Sequence, residues 1–264
     1  MKVKHGLGAL LLLLVFGSSA FAQARRPSRN LGEQSTVEVD VRRWRSDLVS
    51  ELRFSVPGTL GSDFSPVTDL GLPPERTFDY HFGVRLTNRI GIRGNWFRIR
   101  YAADTVTDQP LLIAGDFYPS GSILTTGLEL EQRRGGISFA LVTGEYGWIA
   151  LVAEWARFSA TNAYSSEEQE TTPLPLRMDL PLFGAKTRLY LTPALAVSIE
   201  GVGMKRDAIG VMTDFDASVT YNAIPNLAFS YGYRNSYNRF KQDEPGDRTI
   251  YRLKGQYFGV TVRF

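Results

Sequence analysis

The chain holds two histidines, and one of them, His81, stands two residues from Asp79. On a strand that spacing puts both side chains on one face. There a carboxylate orients and polarises an imidazole for proton transfer. Asp79 and His81 are therefore the candidates for catalysis. No serine-containing nucleophile signature and no matched carboxylate pair accompanies them, so an ordinary polar contact is the plainer reading. Beyond His5 near the start of the chain, a single histidine and no cysteine give no metal site, and no cofactor is expected.

A larger set of charged residues alternates with apolar neighbours. The acids are Glu38, Asp40, Asp79, Glu129, Glu131, Glu154, Glu200, Asp214 and Asp216. The bases are Arg42, Arg85, Arg93, Arg98, Arg100, Arg133, Lys186, Arg188, Arg234 and Arg252. Placed inside a closed cylinder, they would neutralise one another, because a buried charge left alone costs several kcal/mol. A ring of one sign would point to ion selectivity. The mixture points to a structural network that largely plugs a narrow lumen.

The elements that must position these groups are strands. Period-2 alternation predicts ten, over about 36–55, 77–87, 90–104, 122–142, 147–160, 179–191, 195–204, 209–223, 227–237 and 249–264. Each is long enough for the roughly 9–11 residues of a tilted membrane crossing. In the second, Phe78, Tyr80, Phe82, Val84 and Leu86 share one face and Asp79, His81, Gly83 and Arg85 the other. If the apolar face always looks outward, three strands must change phase: at Trp96-Phe97, at Gly135-Gly136, and between Leu253 and Phe258. β-Bulges would do this. The same rule turns Leu124, Leu128 and Leu130 outward and Glu129, Glu131 and Arg133 inward. Short connections alternate with longer Gly/Pro/Asp/Ser-rich ones at about 56–76, 105–121, 161–177 and 238–248, the third containing the acidic run 165–170. His81 is expected a few residues below the long-loop rim. Tyr80, Trp96, Tyr101, Trp148, Trp155, Tyr221 and Tyr231 are candidates for interfacial girdles. The fold expected is an all-β antiparallel up-and-down transmembrane barrel of about ten strands, with eight or twelve as alternatives.

The two ends fix the address. Lys2 and Lys4 precede an apolar run, Gly6 to Phe16, and Ala20 and Ala22 frame a cleavage site before Gln23. Residues 1–22 read as a cleavable signal peptide, 23–35 as a lead-in on the periplasmic side, and 36–264 as the barrel. Removing two lysines from 30 basic residues leaves 28 against 27 acids. A balance so near neutral gives no argument for nucleic acid. No later apolar run approaches the roughly 20 residues of a transmembrane helix, and a closed barrel is the other way to cross a bilayer.

The last residues, YFGVTVRF, place Phe258, Val260, Val262 and Phe264 on one face. With the leader and the alternating segments, this resembles bacterial outer-membrane β-barrel proteins, and more loosely the small outer-membrane protein W and A barrels. The resemblance implies an outer-membrane location and a terminal motif read by the barrel-assembly machinery after escort by periplasmic chaperones. It also implies contact with outer-membrane lipids and lipopolysaccharide, with Lys205, Arg206, Arg239 and Lys241 as basic loop residues. The function expected is non-enzymatic: a narrow, porin-like path for small solutes, or a structural and surface-interaction barrel. The alternatives are a barrel enzyme acting on lipid A or peptides through His81 and Asp79, and a surface-binding module acting through its loops.

Overall fold

A computed structural model describes residues 31, 36–167, 173–241 and 247–264. The signal segment 1–22, the lead-in 23–35 apart from Leu31, and half of the acidic run 165–170 lie outside the described residues. Ten strands form one closed antiparallel barrel. They are β1 (Val37–Arg53), β2 (Glu75–Arg85), β3 (Ile90–Val106), β6 (Ile123–Gly144), β7 (Gly147–Ser165), β8 (Leu174–Tyr190), β9 (Leu195–Arg206), β10 (Gly210–Ile224), β11 (Leu227–Phe240) and β12 (Arg248–Arg263). Between β3 and β6, β4 (Leu111–Ile113) and β5 (Asp116–Tyr118) pair as a separate hairpin. Its turn needs a left-handed backbone at both Ala114 (φ 53°) and Gly115 (φ 96°), the conformation of a two-residue hairpin loop.

Each wall strand pairs with the next, and β1 closes against β12. Paired residues can be followed once around the wall, from Val37 through Val84, Ile92, Ile137, Ala153, Phe183, Gly203, Thr213, Tyr237 and Arg252. The path re-enters β1 at Val49, twelve residues beyond its start. Such a stagger tilts the strands by roughly 40°. Both ends of the barrel-forming chain, Val37 and Phe264, lie at the short-turn end.

The expected changes of phase do not occur. The pairings of β3, β6 and β12 run without a register break through Trp96-Phe97, Gly135-Gly136 and the stretch from Leu253 to Phe258. The break in the β6–β7 ladder falls instead between Ala140 and Val142. Gly136 is required by a close approach, since a Cβ there would stand 2.2 Å from the Ala153 carbonyl oxygen.

What changes along a strand is its surroundings. Toward the short turns, apolar side chains are exposed on the outside: Ile90, Ile92 and Trp96 on β3, Ile137, Phe139 and Leu141 on β6, Leu151 and Trp155 on β7, Phe258, Val262 and Phe264 at the end of the chain. On β8 this belt runs from Phe183 to Leu191, about 20 Å of tilted strand height. An apolar surface of that extent belongs in lipid. Toward the long loops the same outward positions become Arg98 and Arg100, Arg133 and Glu131, Arg157, and Lys254 and Arg252. The inward positions there are Phe97, Ile99, Leu128, Leu130, Phe158, Leu180 and Leu253, all buried. The strands, up to 22 residues long in β6, outrun the bilayer and build a second, water-surrounded storey with an apolar core.

Two loops close that storey from above. Phe64, Leu70 and Leu72 from 54–74 and Leu111, Ile113 and Tyr118 from 107–122 join its core. Backbone bonds between Leu52 and Phe64 (2.9 Å each way) and from Ala114 N–H to the Phe54 carbonyl (3.1 Å) hold them down. The loop expected over 161–177 is largely strand, because β7 reaches Ser165 and β8 starts at Leu174.

Candidate functional site: the ion-pair belt and the cavity beneath it

Where the two storeys meet, Arg234 of β11 crosses the lumen. It is 1% exposed. Its Nη1 lies 2.6 Å from Asp79 Oδ2 of β2 and its Nη2 2.8 Å from Asp214 Oδ2 of β10. Nη2 also donates to Gln132 Oε1 at 2.7 Å. The guanidinium carbon sits 5.1 Å from the ring centroids of both Trp44 and Phe97, which are fully buried and meet edge-on at 5.3 Å. The aromatic pair is the floor of the apolar core and the roof of the polar lumen. Cation–π attraction joins the two.

Around this centre the charges interlock. Asp79 accepts from Asn95 Nδ2 and lies 2.7 Å from His81 Nε2. Arg134 Nε donates to Asn95 Oδ1 at 3.1 Å, and its Nη1 stands 3.7 Å from Glu154 and 3.8 Å from Asp214. Arg93 bridges Glu154 at 2.7 Å and Glu200 at 2.6 Å, with Lys186 3.8 Å from Glu200. Arg42 bridges Asp40 at 2.6 Å and Asp216 at 2.8 Å while lying over the Tyr257 ring. Arg263 reaches Glu38 at 2.8 Å and Asn222 at 2.8 Å. Each buried charge thus meets an opposite one, the arrangement that makes burial tolerable.

Below the belt a cavity of about 460 Å³ reaches the short-turn end, lined there by the turn residues Thr87, Asn88 and Arg89 and by Thr143 and Gly144. Glu38, Asp40, Arg42, His81, Arg85, Arg93, Lys186, Arg188, Glu200 and Asp216 face it. Asp79, Glu154, Asp214 and Arg234 are packed in the belt.

Six predicted lumen residues are outside. Arg98 and Arg100 of β3 pair with Glu129 of β6 across the outer surface at 2.5 and 2.6 Å. Glu131 pairs with Arg133 at 2.7 Å and accepts from Trp96 Nε1 at 2.8 Å. Arg252 bonds Asn235 at 2.9 Å, also outside. The cause is the second storey: above the bilayer it is the charged face that meets water. His81 also sits lower than expected. It opens on the short-turn cavity, because β2 begins only at Glu75 and the preceding loop folds into the barrel. Tyr101 is buried, and Trp148 lies beneath Lys186 and Arg188 on the cavity wall, so neither belongs to a girdle.

Sequence reasoning missed Arg134, Arg263, Asn95, Gln132 and Trp44. Unbroken alternation was the signal: carried through Gly135-Gly136 it puts Gln132 and Arg134 inside, and carried to the end it puts Arg263 inside. Among the described residues no group of three or more His, Cys, Asp or Glu could hold a metal ion.

No protein-family model and no curated protein matches the sequence. Solved structures do match. The outer membrane protease OmpT of Escherichia coli aligns at a TM-score of 0.57 and 10% identity, over 92% of this chain and 99% of that one. Ail, the attachment invasion locus protein of Yersinia pestis, aligns at 0.41 and 10% identity over 88% and 100%. Neisserial surface protein A aligns at 0.30 and 13% identity over 86% and 97%. At 10% identity the OmpT likeness is one of architecture: this chain has the closed ten-strand antiparallel fold of a bacterial outer-membrane β-barrel.

Proposed function

We propose that the protein is a sealed, non-enzymatic outer-membrane barrel whose rigid upper storey carries its loops above the outer leaflet. On this reading residues 1–22 export the chain and are removed before Gln23. The short turns face the periplasm, as in outer-membrane barrels generally. Phe258, Val260, Val262 and Phe264, which share the lipid-facing side of β12 and the residue after it, form the signal for the barrel-assembly machinery, with periplasmic chaperones escorting the chain. Outward arginines such as Arg98, Arg133 and Arg157, just above the Trp96 and Trp155 level, meet lipopolysaccharide phosphates as charged forks.

The observation that carries the reading is the stopper. Arg234 is held by two carboxylates beneath Trp44 and Phe97, and an apolar core fills the lumen above. A hydrated ion crossing this layer would lose its water without gaining polar partners. Purified protein in planar bilayers should give a flat current record. Discrete conductance steps from the unmodified chain would overturn the proposal.

The Asp79–His81 contact supports a second reading, acid–base chemistry at the cavity roof. Asp79, however, is already committed to Arg234 and Asn95. Lipid A species and peptide substrates incubated with wild-type and His81→Ala protein should look alike. Turnover lost in the variant would replace the first reading by this one.

A further inference from the structure

We propose that the cavity at the short-turn end is a binding site for a small organic anion carrying carboxylate or phosphate groups. At about 460 Å³ it falls within the roughly 300–1,000 Å³ of ligand pockets. Its lining holds eight bases and four acids, and the imbalance is graded with depth. Near the belt, Arg42 and Arg93 each bridge two carboxylates. Toward the mouth stand Arg85, Arg89, Arg188 and Arg263, with Glu38 as the lining acid beside them, while Lys186 lies across from Glu200 at 3.8 Å.

A surplus of positive charge inside a low-dielectric wall focuses potential outward through the single mouth. Guanidinium forks match carboxylate and phosphate in geometry. The lining is also pre-organised. Lys186 and Arg188 lie 5.8 and 5.7 Å from the Trp148 ring, and Arg188 Nε donates to Ser198 Oγ at 3.1 Å. With the roof closed, a guest enters and leaves by the same mouth, so the site is a receptor pocket on the periplasmic side.

The test is calorimetric titration of the refolded barrel in zwitterionic detergent with pyrophosphate and, separately, citrate. Saturable binding that weakens with added salt is expected for one or both, and the preferred probe separates a phosphate guest from a carboxylate guest. Affinity should fall about tenfold or more in Arg85→Glu/Arg188→Glu, since two attractive charges become repulsive. It should be unchanged in Arg98→Gln/Arg100→Gln, whose charges lie on the outer wall. Heat-modifiable gel migration checks that each variant is a closed barrel. Should the double reversal fail that check, Arg188→Gln replaces it, with a smaller drop expected. No saturable heat with either probe at millimolar concentration, or wild-type affinity in Arg85→Glu/Arg188→Glu or in the Arg188→Gln that replaces it, would overturn the proposal. Conductance in bilayers would overturn the sealed reading and leave this result standing.

Discussion

The lower storey is polar within and apolar without, while the upper is apolar within and polar without, yet the same strands build both and no strand changes its alternation where the two storeys meet. On β6, Ile137 and Phe139 face lipid, and Glu131 and Glu129 on the same side face water. The pleat decides only which residues share a side; the solvent beyond the wall decides which chemistry that side must carry. Trp96 marks the changeover: it stacks on Tyr80 at 5.4 Å in the apolar belt, while its indole N–H donates upward to Glu131. That is how an amphipathic ring sits at a membrane interface.

The comparison can be broken most severely at the layer between the storeys. Arg234→Ala leaves Asp79 and Asp214 buried without their shared cation and should cost about 3–5 kcal/mol, read as a lowered urea midpoint for the barrel in micelles. Leu130→Ala, inward in the upper core, should cost about 2–5 kcal/mol. Leu151→Ala, outward in the belt, should cost a small part of that in the same assay. Phe258→Arg puts a charge into lipid and should cost about 2–4 kcal/mol if it lies near the bilayer midplane. Arg252→Gln, six residues back on the same face, should stay within about 0.5 kcal/mol. Because the chain has no cysteine, single replacements sharpen the boundary. Arg133→Cys should react with a water-soluble maleimide in liposomes, and Ile137→Cys on the same face of β6 should be protected.

The smallest effect belongs to Glu129, in the water-exposed storey. Its carboxyl is held below the usual range, first by the hydrogen bond from Arg98 and further by Arg100. A depressed folded-state pKa stabilises above the ordinary carboxylate range and loses that contribution as the pH falls through the depressed value. Any difference between wild type and Glu129→Gln in thermal melts should therefore be slight at neutral pH and vanish in acid.

Strand number, short-turn and long-loop ends, and the lower storey were legible in the sequence because they depend on alternation and turn chemistry. Glu38, Asp40, Arg42, Arg93 and Glu200 could be placed inside from parity alone. The upper storey was misread because one assumption, that apolar means outward, was carried past the height of a bilayer. It produced three bulges and sent Arg98, Arg100, Glu129, Glu131, Arg133 and Arg252 to the wrong side. Strand length held the warning, since β6 and β7 run to 22 and 19 residues where roughly 9–11 suffice to cross. The partners of Arg234 were beyond reach for another reason. Asp79 lies 155 positions away along the chain, and the tilt that brings them together emerges only when the cylinder closes.

The seam between β1 and β12 stands apart from every other joint in the wall. All the others link strands that follow one another in the wall and lie close in sequence, so they can zip as neighbouring hairpins with little loop entropy to overcome. The seam joins Glu38 to Arg263, and the side chains of those two residues are also clasped together. Completion of the ring must wait for the last segment to arrive, which makes that clasp a latch thrown at the end of assembly and the place where a half-made ring would be opened.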